Sequence, residues 1–475
     1  MKKLFTILTF LSVFSLWAQK KIVPFHAEIQ AFTHTPELLH AHCGISVREL
    51  KTGKAVVDYN AGHSFAPASN LKLLYTLTAV DKLGKDFHYK TRLLYSGKIV
   101  DGILYGDLVF QPSGDPSFAS IRMKENLEEQ LNTIVSKIKI EGIKKVKGKL
   151  IMELNGWRYP VPGSIPVEDI GNYYGTGAWD FNFNDNRLDV YLQRSQLENQ
   201  PTKILNMYPE VKGINYISKV KTAGANTGDE SYVYAAPFDN TRYILGTIPV
   251  GKKPFKVKAG MPNPPLSFLK ILRDKLQTEG ISVEDIQVNN IRKKYTHQLW
   301  EYTSHPLLDI VKTTNDYSMN HFSEALAWTL IQGGEPADGY LDKQKIHDFF
   351  APYGFAEADI EDGCGLAPDN LVEPAQMTGF LALMNKKLGQ DLFLDILPHG
   401  GTDGYAQYFL RNNPWQSQVW VKSGSVSKVR NYTGVFKAQS GKMYAFSVMT
   451  NFFTGKHKEV RKSIEKLVEH FIQNL

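Results

Sequence analysis

Apolar and polar positions divide the chain into five stretches. The first is an apolar run from Leu4 to Trp17 behind Lys2 and Lys3, followed by the small residue Ala18. The run falls short of the roughly 20 residues of a spanning helix, so it predicts a secretory signal over residues 1–18 and an exported protein. No later segment is long and apolar enough to span a membrane. After a short helix, "GISVRELKTGKAVVDYN" alternates on both sides of Thr52-Gly53, the signature of a β-hairpin. From Leu71 to Val80 the only polar side chains are Lys72, Thr76 and Thr78, with the Tyr75 hydroxyl, so the segment reads as a helix buried nearly all round. From about Tyr89 to Lys293 short β-rich runs alternate with amphipathic pieces such as Glu125 to Ile140. From Leu307 helices return, followed by the strand-like "QVWVKSGSV", "NYTGVFKAQ" and "MYAFSVMTNFF" and the helical "EVRKSIEKLVEHFIQ". This order predicts an outer region, built from both ends of the chain, that encloses an inserted middle.

At 475 residues and 43% hydrophobic content the chain is large enough for two or three domains of roughly 150 residues. Two cysteines, Cys43 and Cys364, are too few for a disulfide framework, and whether they pair is open. Loss of Lys2 and Lys3 with the signal takes the formal charge from +7 to +5, too dispersed an excess to imply nucleic acid.

A lysine inside an apolar helix is costly, because burial disfavours its charged form. A neutral lysine is what a serine nucleophile needs as proton acceptor, and Ser69 precedes Lys72 by one helical turn. The spacing Ser-x-x-Lys occurs six times, starting at Ser69, Ser136, Ser218, Ser267, Ser425 and Ser463. The nearest rival, Ser267 with Lys270, opens an amphipathic helix in which the lysine reaches water. Chemistry built on Ser-x-x-Lys also uses a Ser-x-Asn and a Lys-Thr/Ser-Gly on a strand edge. Ser318-Met319-Asn320 is the one Ser-x-Asn in the chain, in a polar stretch at the mouth of a helix. For the last element, Lys51-Thr52-Gly53 lies in the hairpin turn ahead of the nucleophile. Lys422-Ser423-Gly424 follows the other elements and ends a strand, and it is preferred; its glycine is expected to let substrate approach the backbone. The charge of Lys422 is expected to help keep Lys72 neutral.

With these elements in this order the chain resembles the penicillin-binding D-alanyl-D-alanine carboxypeptidases and endopeptidases with a large insert, the low-molecular-mass class C penicillin-binding proteins. The segments "GDLVFQPSGDPSF", "VEDIGNYYGTGAWDFNFNDN", "DGCGLAPDNLVEP", "LPHGGTDG" and "KSGSVSKVRNYTG" are also similar to family segments in family order. The resemblance implies a multidomain α/β (α+β) fold: a serine β-lactamase/transpeptidase-like domain, with an antiparallel sheet between helix layers, interrupted by inserted β-rich domains. Residues 20–88 and 294–475 would form the catalytic domain and 89–293 the insert, as two domains (about 89–186 with 252–293, and about 187–251). It further implies that Ser69 attacks the D-Ala-D-Ala peptide bond, Lys72 takes its proton, Ser318 relays a proton to the leaving amine and Asn320 binds the substrate backbone. Lys422 and Ser423, beside Gly424, would hold the terminal carboxylate, and the backbone N–H groups of Ser69 and Ser425 the oxyanion. The implied partners are peptidoglycan stem peptides ending in D-Ala-D-Ala, with β-lactams as covalent inhibitors, in the periplasm or at the cell wall; no cofactor or metal is implied. Met319, Ser423, Cys364 and Pro368 depart from the residues usual in the family, the last two in a segment tied to recognition of the substrate tail.

Other chemistries find less support. None of the 23 tyrosines has Asn two places on, which disfavours esterases and β-lactamases that use Tyr-x-Asn. His34, His40, His42 and Cys43 lack a matching second ligand pair for zinc. A non-catalytic wall-binding scaffold derived from the enzyme is the alternative of a different class.

Overall fold

The three C-terminal strand-like runs form the strands Val419–Val426, Val429–Lys437 and Met443–Asn451 of one antiparallel sheet. They do so in a computed structural model that describes residues 25–475; the predicted signal, 1–18, lies outside the described residues. The predicted hairpin completes the sheet. His42–Glu49 pairs with Met443–Asn451, and Ala55–Tyr59 forms the far edge. The two ends of the chain therefore share one sheet.

Side chains alternate across a strand, and here both faces are buried. Tyr444, Phe446 and Val448 pack with Ile29 and Phe32 of the helix His26–Thr33 and with Ile464 and Phe471 of the helix His457–Asn474. On the opposite face Ala445 and Met449 pack with Leu77 of the helix Lys72–Leu83 and with Met377 and Leu381 of the helix Pro374–Leu388. The result is the expected antiparallel sheet between helix layers. Every residue from Lys72 to Val80 is buried, as the near-continuous apolar pattern requires. Burying each large aliphatic side chain contributes about 1.5–3 kcal/mol, which anchors a helix that also carries a buried lysine.

The middle of the chain has its own core, which runs from Leu93 to Tyr302. A seven-stranded mixed sheet is built around Lys145–Glu153 and is edged on one side by His297–Thr303, which pairs with Lys90–Tyr95. A three-stranded sheet joins Arg187–Gln193 to Lys203–Tyr208 and Phe255–Gly260, and a four-stranded sheet is built on Thr241–Pro249. The strand His297–Thr303 carries the pairing of this region past residue 293. Among the described residues no helix is long and apolar enough to cross a membrane.

Candidate active site

Ser69 does not lie within the helix it introduces. It sits in a 3-10 turn, Ala68–Leu71, and the α-helix begins at Lys72. The turn is entered through Ala68 at φ 47, a left-handed conformation that non-glycine residues adopt rarely and at some cost. Side chains from the central sheet hold it there: Asn70 Nδ2 donates to Thr433 Oγ1 at 2.8 Å, and Asn431 Nδ2 donates to the Ala66 carbonyl at 2.8 Å.

The Lys72 amine is wholly buried. Its Nζ lies 2.7 Å from Ser69 Oγ and 2.6 Å from the Cys364 carbonyl oxygen. Burial pushes its pKa below the ordinary lysine range, against the Cys364 thiol and the carboxyls of Asp362 and Glu324, which favour its charge. An amine that has shed its proton can donate to the carbonyl and direct its lone pair at the Ser69 hydroxyl.

Ser318 occupies the left-handed junction (φ 54) between the helices Leu307–Tyr317 and Asn320–Gln332. Its Oγ accepts from Lys422 Nζ at 2.9 Å, and the same amine donates to the Ser423 carbonyl at 2.9 Å. Lys422 is 1% exposed. Burial lowers its pKa well below the usual range, Lys72 and Arg430 lower it further, and Asp316 opposes them. Burial, Lys72 and Arg430 thus weigh against a charge on Lys422, with Asp316 favouring it, and Lys422 lacks a strong counter-charge. A carboxylate arriving beside it would supply one.

Ser69, Ser318, Asn320, Ser423 and Ser425 open into one cleft of about 820 Å³, with both lysines beneath its floor. The far wall comes from the middle region. Asn320 Nδ2 donates to the Tyr174 carbonyl at 2.8 Å, which fixes the amide with its Oδ1 free to accept. Gly424 meets a need beyond the one expected. A Cβ there would lie 2.5 Å from the Pro67 carbonyl oxygen, so the missing side chain admits the nucleophile turn against the strand. The exposed Ser425 turns its side chain toward His457, 3.1 Å from Nδ1.

The two rival motifs lie elsewhere. Ser267 Oγ donates to the Pro262 carbonyl, and Lys270 binds the Lys212 carbonyl. Lys51 and Thr52 are exposed in the hairpin turn. His42 is stacked between Phe65 and His63 and belongs to no group of three ligand-type side chains among the described residues, and Cys43 and Cys364 are both buried free thiols. The one group of metal-ligand type among the described residues is Glu324, Asp362 and Cys364, behind Lys72. Sequence reasoning missed its part in the site, although "DGCGLAP" carried a signal in its two closely spaced glycines.

The family model for D-Ala-D-Ala carboxypeptidase 3 (S13) matches residues 25–474. The D-alanyl-D-alanine carboxypeptidase DacB of Haemophilus influenzae is 25% identical over 492 aligned residues, covering 100% of this chain and 98% of the relative. A D-alanyl-D-alanine carboxypeptidase of Actinomadura sp. is 21% identical over 94% of this chain and 81% of its own length. Among solved structures, penicillin binding protein 4 (dacB) from Haemophilus influenzae superposes with a TM-score of 0.80 at 22% identity, covering 94% of this chain and 99% of its own. That protein has also been solved in complex with a β-lactam, which superposes with a TM-score of 0.76.

Proposed function

The chain belongs to the D-Ala-D-Ala carboxypeptidase (S13) family, and from that premise we propose that it hydrolyses the D-Ala-D-Ala bond of peptidoglycan stem peptides through an acyl-enzyme on Ser69. The observation that carries this reading is the 2.7 Å contact of Ser69 Oγ with a fully buried Lys72 amine at the floor of the cleft. Neutral Lys72 accepts the Ser69 proton as Oγ bonds to the carbonyl carbon, and the developing oxyanion is held by the backbone N–H groups of Ser69 and Ser425. Ser318, tied to Lys422, relays the proton held by Lys72 to the leaving amine, so free D-alanine departs and Lys72 is neutral again. Water then attacks the acyl-enzyme, gives its proton back through Lys72, and releases Ser69.

The same geometry supports the remaining assignments. Asn320 Oδ1 accepts from the substrate amide. Lys422 and Ser423 bind the terminal carboxylate, which provides the counter-charge that the buried amine lacks, and Gly424 keeps their strand close to the nucleophile turn. A β-lactam presents an equivalent carbonyl and carboxylate and acylates the same serine. We further propose that 20–88 with 294–475 is the catalytic unit and 89–293 an insert that supplies the cleft's far wall, and that 1–18 directs export to the periplasm or cell wall.

The test is to incubate the purified full chain with a peptide ending in D-Ala-D-Ala, and separately with crosslinked muropeptide dimers. Release of D-alanine by the parent and none by Ser69→Ala supports the reading; equal release by both, or by neither, refutes it.

A further inference from the structure

Lys72 is directed at Ser69 by a second contact, the Cys364 carbonyl, and the hold on that carbonyl reaches back to the helix that begins at Asn320. Residues 363–365 form a wedge between two segments. On one side Gly365 (φ 82) faces the nucleophile turn, where a Cβ would lie 1.9 Å from the Ala68 carbonyl oxygen. On the other side Gly363 lies flat on the helix Asn320–Gln332, where a Cβ would lie 2.8 Å from Ala327 Cβ and 3.0 Å from Glu324 Cα.

The helix grips the Gly363 residue at both of its polar atoms. Ser323 Oγ donates to the Gly363 carbonyl at 2.5 Å, and the Gly363 N–H donates to Glu324 Oε1 at 2.9 Å. Glu324 Oε2 is in turn fixed by the Tyr340 hydroxyl at 2.9 Å. Within the wedge, Asp362 accepts the backbone N–H groups of Cys364, Gly365, Leu366 and Ala367. The wedge is thus internally stiff, and its placement depends on the clamp. Glu324 is 3% exposed, and nothing in the acylation chemistry described above uses it. A buried carboxyl without a task in folding or chemistry is expensive, which makes its position behind the base informative.

We propose that Glu324 is a positioning residue for acylation: with Ser323 it clamps the Gly363 peptide, and through that clamp it sets where the Cys364 carbonyl orients the Lys72 amine. The inference rests on the reading of Ser69 and Lys72 as nucleophile and base. It also links the Ser318-x-Asn320 element to the base through one helix, since Glu324 stands one turn beyond Asn320.

Acylation of the full chain by a fluorescent penicillin, followed in time over a range of concentrations, separates the limiting rate from the half-saturating concentration. Displacing a base by about 1 Å costs up to about 100-fold in rate, so Glu324→Ala should lose about 30-fold or more in the limiting rate, with half-saturation within about threefold of the parent. Glu324→Gln keeps an acceptor for the Gly363 N–H and should recover to within about fivefold of the parent. The inference is overturned if Glu324→Ala acylates within about threefold of the parent, if the glutamine variant is as slow as the alanine variant, or if the labelled fraction falls at an unchanged rate. Should Glu324→Ala fail to fold, Ser323→Ala and Tyr340→Phe carry the same test, and unchanged limiting rates in both overturn it. A parent chain that is never labelled refutes the functional reading itself, a result distinct from all of these.

Discussion

Replacing Gly365 by alanine tests the packing of the wedge against the nucleophile with a single methyl group. Two effects combine. A non-glycine residue at φ 82 costs about 1–2 kcal/mol. The new Cβ would also stand 1.9 Å from the Ala68 carbonyl oxygen, a backbone atom, so the wedge or the turn must move by roughly 1.5 Å to restore ordinary contact. Overpacking of this kind costs about 1–3 kcal/mol, for a total of about 2–5 kcal/mol. A domain stable by about 5–15 kcal/mol survives that loss, but the displaced atoms are those that set Cys364 against Lys72. The acylation rate should therefore fall by about 100-fold. Gly354 is the control: it has φ 96 and nothing within 4 Å of the place a methyl group would take, so Gly354→Ala incurs the backbone cost alone. Both variants should melt below the parent, and only Gly365→Ala should be slow with penicillin. Equal acylation rates in the two variants would refute the reasoning.

Lys72→Met should abolish acylation, by about 100-fold to 10,000-fold as expected for loss of a general base, and Lys72→Arg should not rescue it because a guanidinium does not shed its proton; the labelling time course decides. The lowered pKa of Lys422 has a sign for stability. The unfolded chain binds a proton there that the folded chain disfavours, so this lysine's cost to the fold grows as pH falls from the usual lysine range to its depressed folded value and stays at its full size below it. Lys422→Met should accordingly melt higher than the parent near neutral pH while losing carboxylate-bearing substrates, as thermal unfolding and D-alanine release would show. The acylation rate should rise with pH as Lys72 loses its proton, then fall as Glu324 ionises. Burial and Asp362 raise the Glu324 pKa to about 8, and its carboxylate, beside Cys364, Tyr75 and Tyr340, favours the Lys72 ammonium. Glu324→Gln should lack that alkaline fall; a fall that persists in the variant contradicts the assignment. Both cysteines are buried and burial raises their pKa, Cys43 to about 12, so a thiol reagent should modify neither until the chain unfolds.

How far the sequence exposed this arrangement depended on whether a pattern was local. The helix after Ser69 was legible because a lysine amid "LKLLYTLTAV" has no exposed face, and burial of Lys72 followed from periodicity alone. The hairpin and the three C-terminal strands were legible from alternation, but not that His42–Glu49 lies beside Met443–Asn451, because pairing at that separation leaves no trace in either segment. Gly424 was noticed, but not the packing that also requires it: its neighbour is Pro67, a long-range contact invisible from "KSGS". The burial of Lys422 was not legible because it depends on the depth of a cleft formed by distant segments. Glu324 offered no signal, since one glutamate in "HFSEALAW" reads as an ordinary helix position.

The account depends on a single nucleophile, and mapping a covalent adduct tests that most directly. The full chain is incubated with penicillin, digested, and the modified peptide identified by mass. The adduct should lie on Ser69, and Ser69→Ala should carry none. An adduct on another serine, or none on the folded parent, would contradict the central claim.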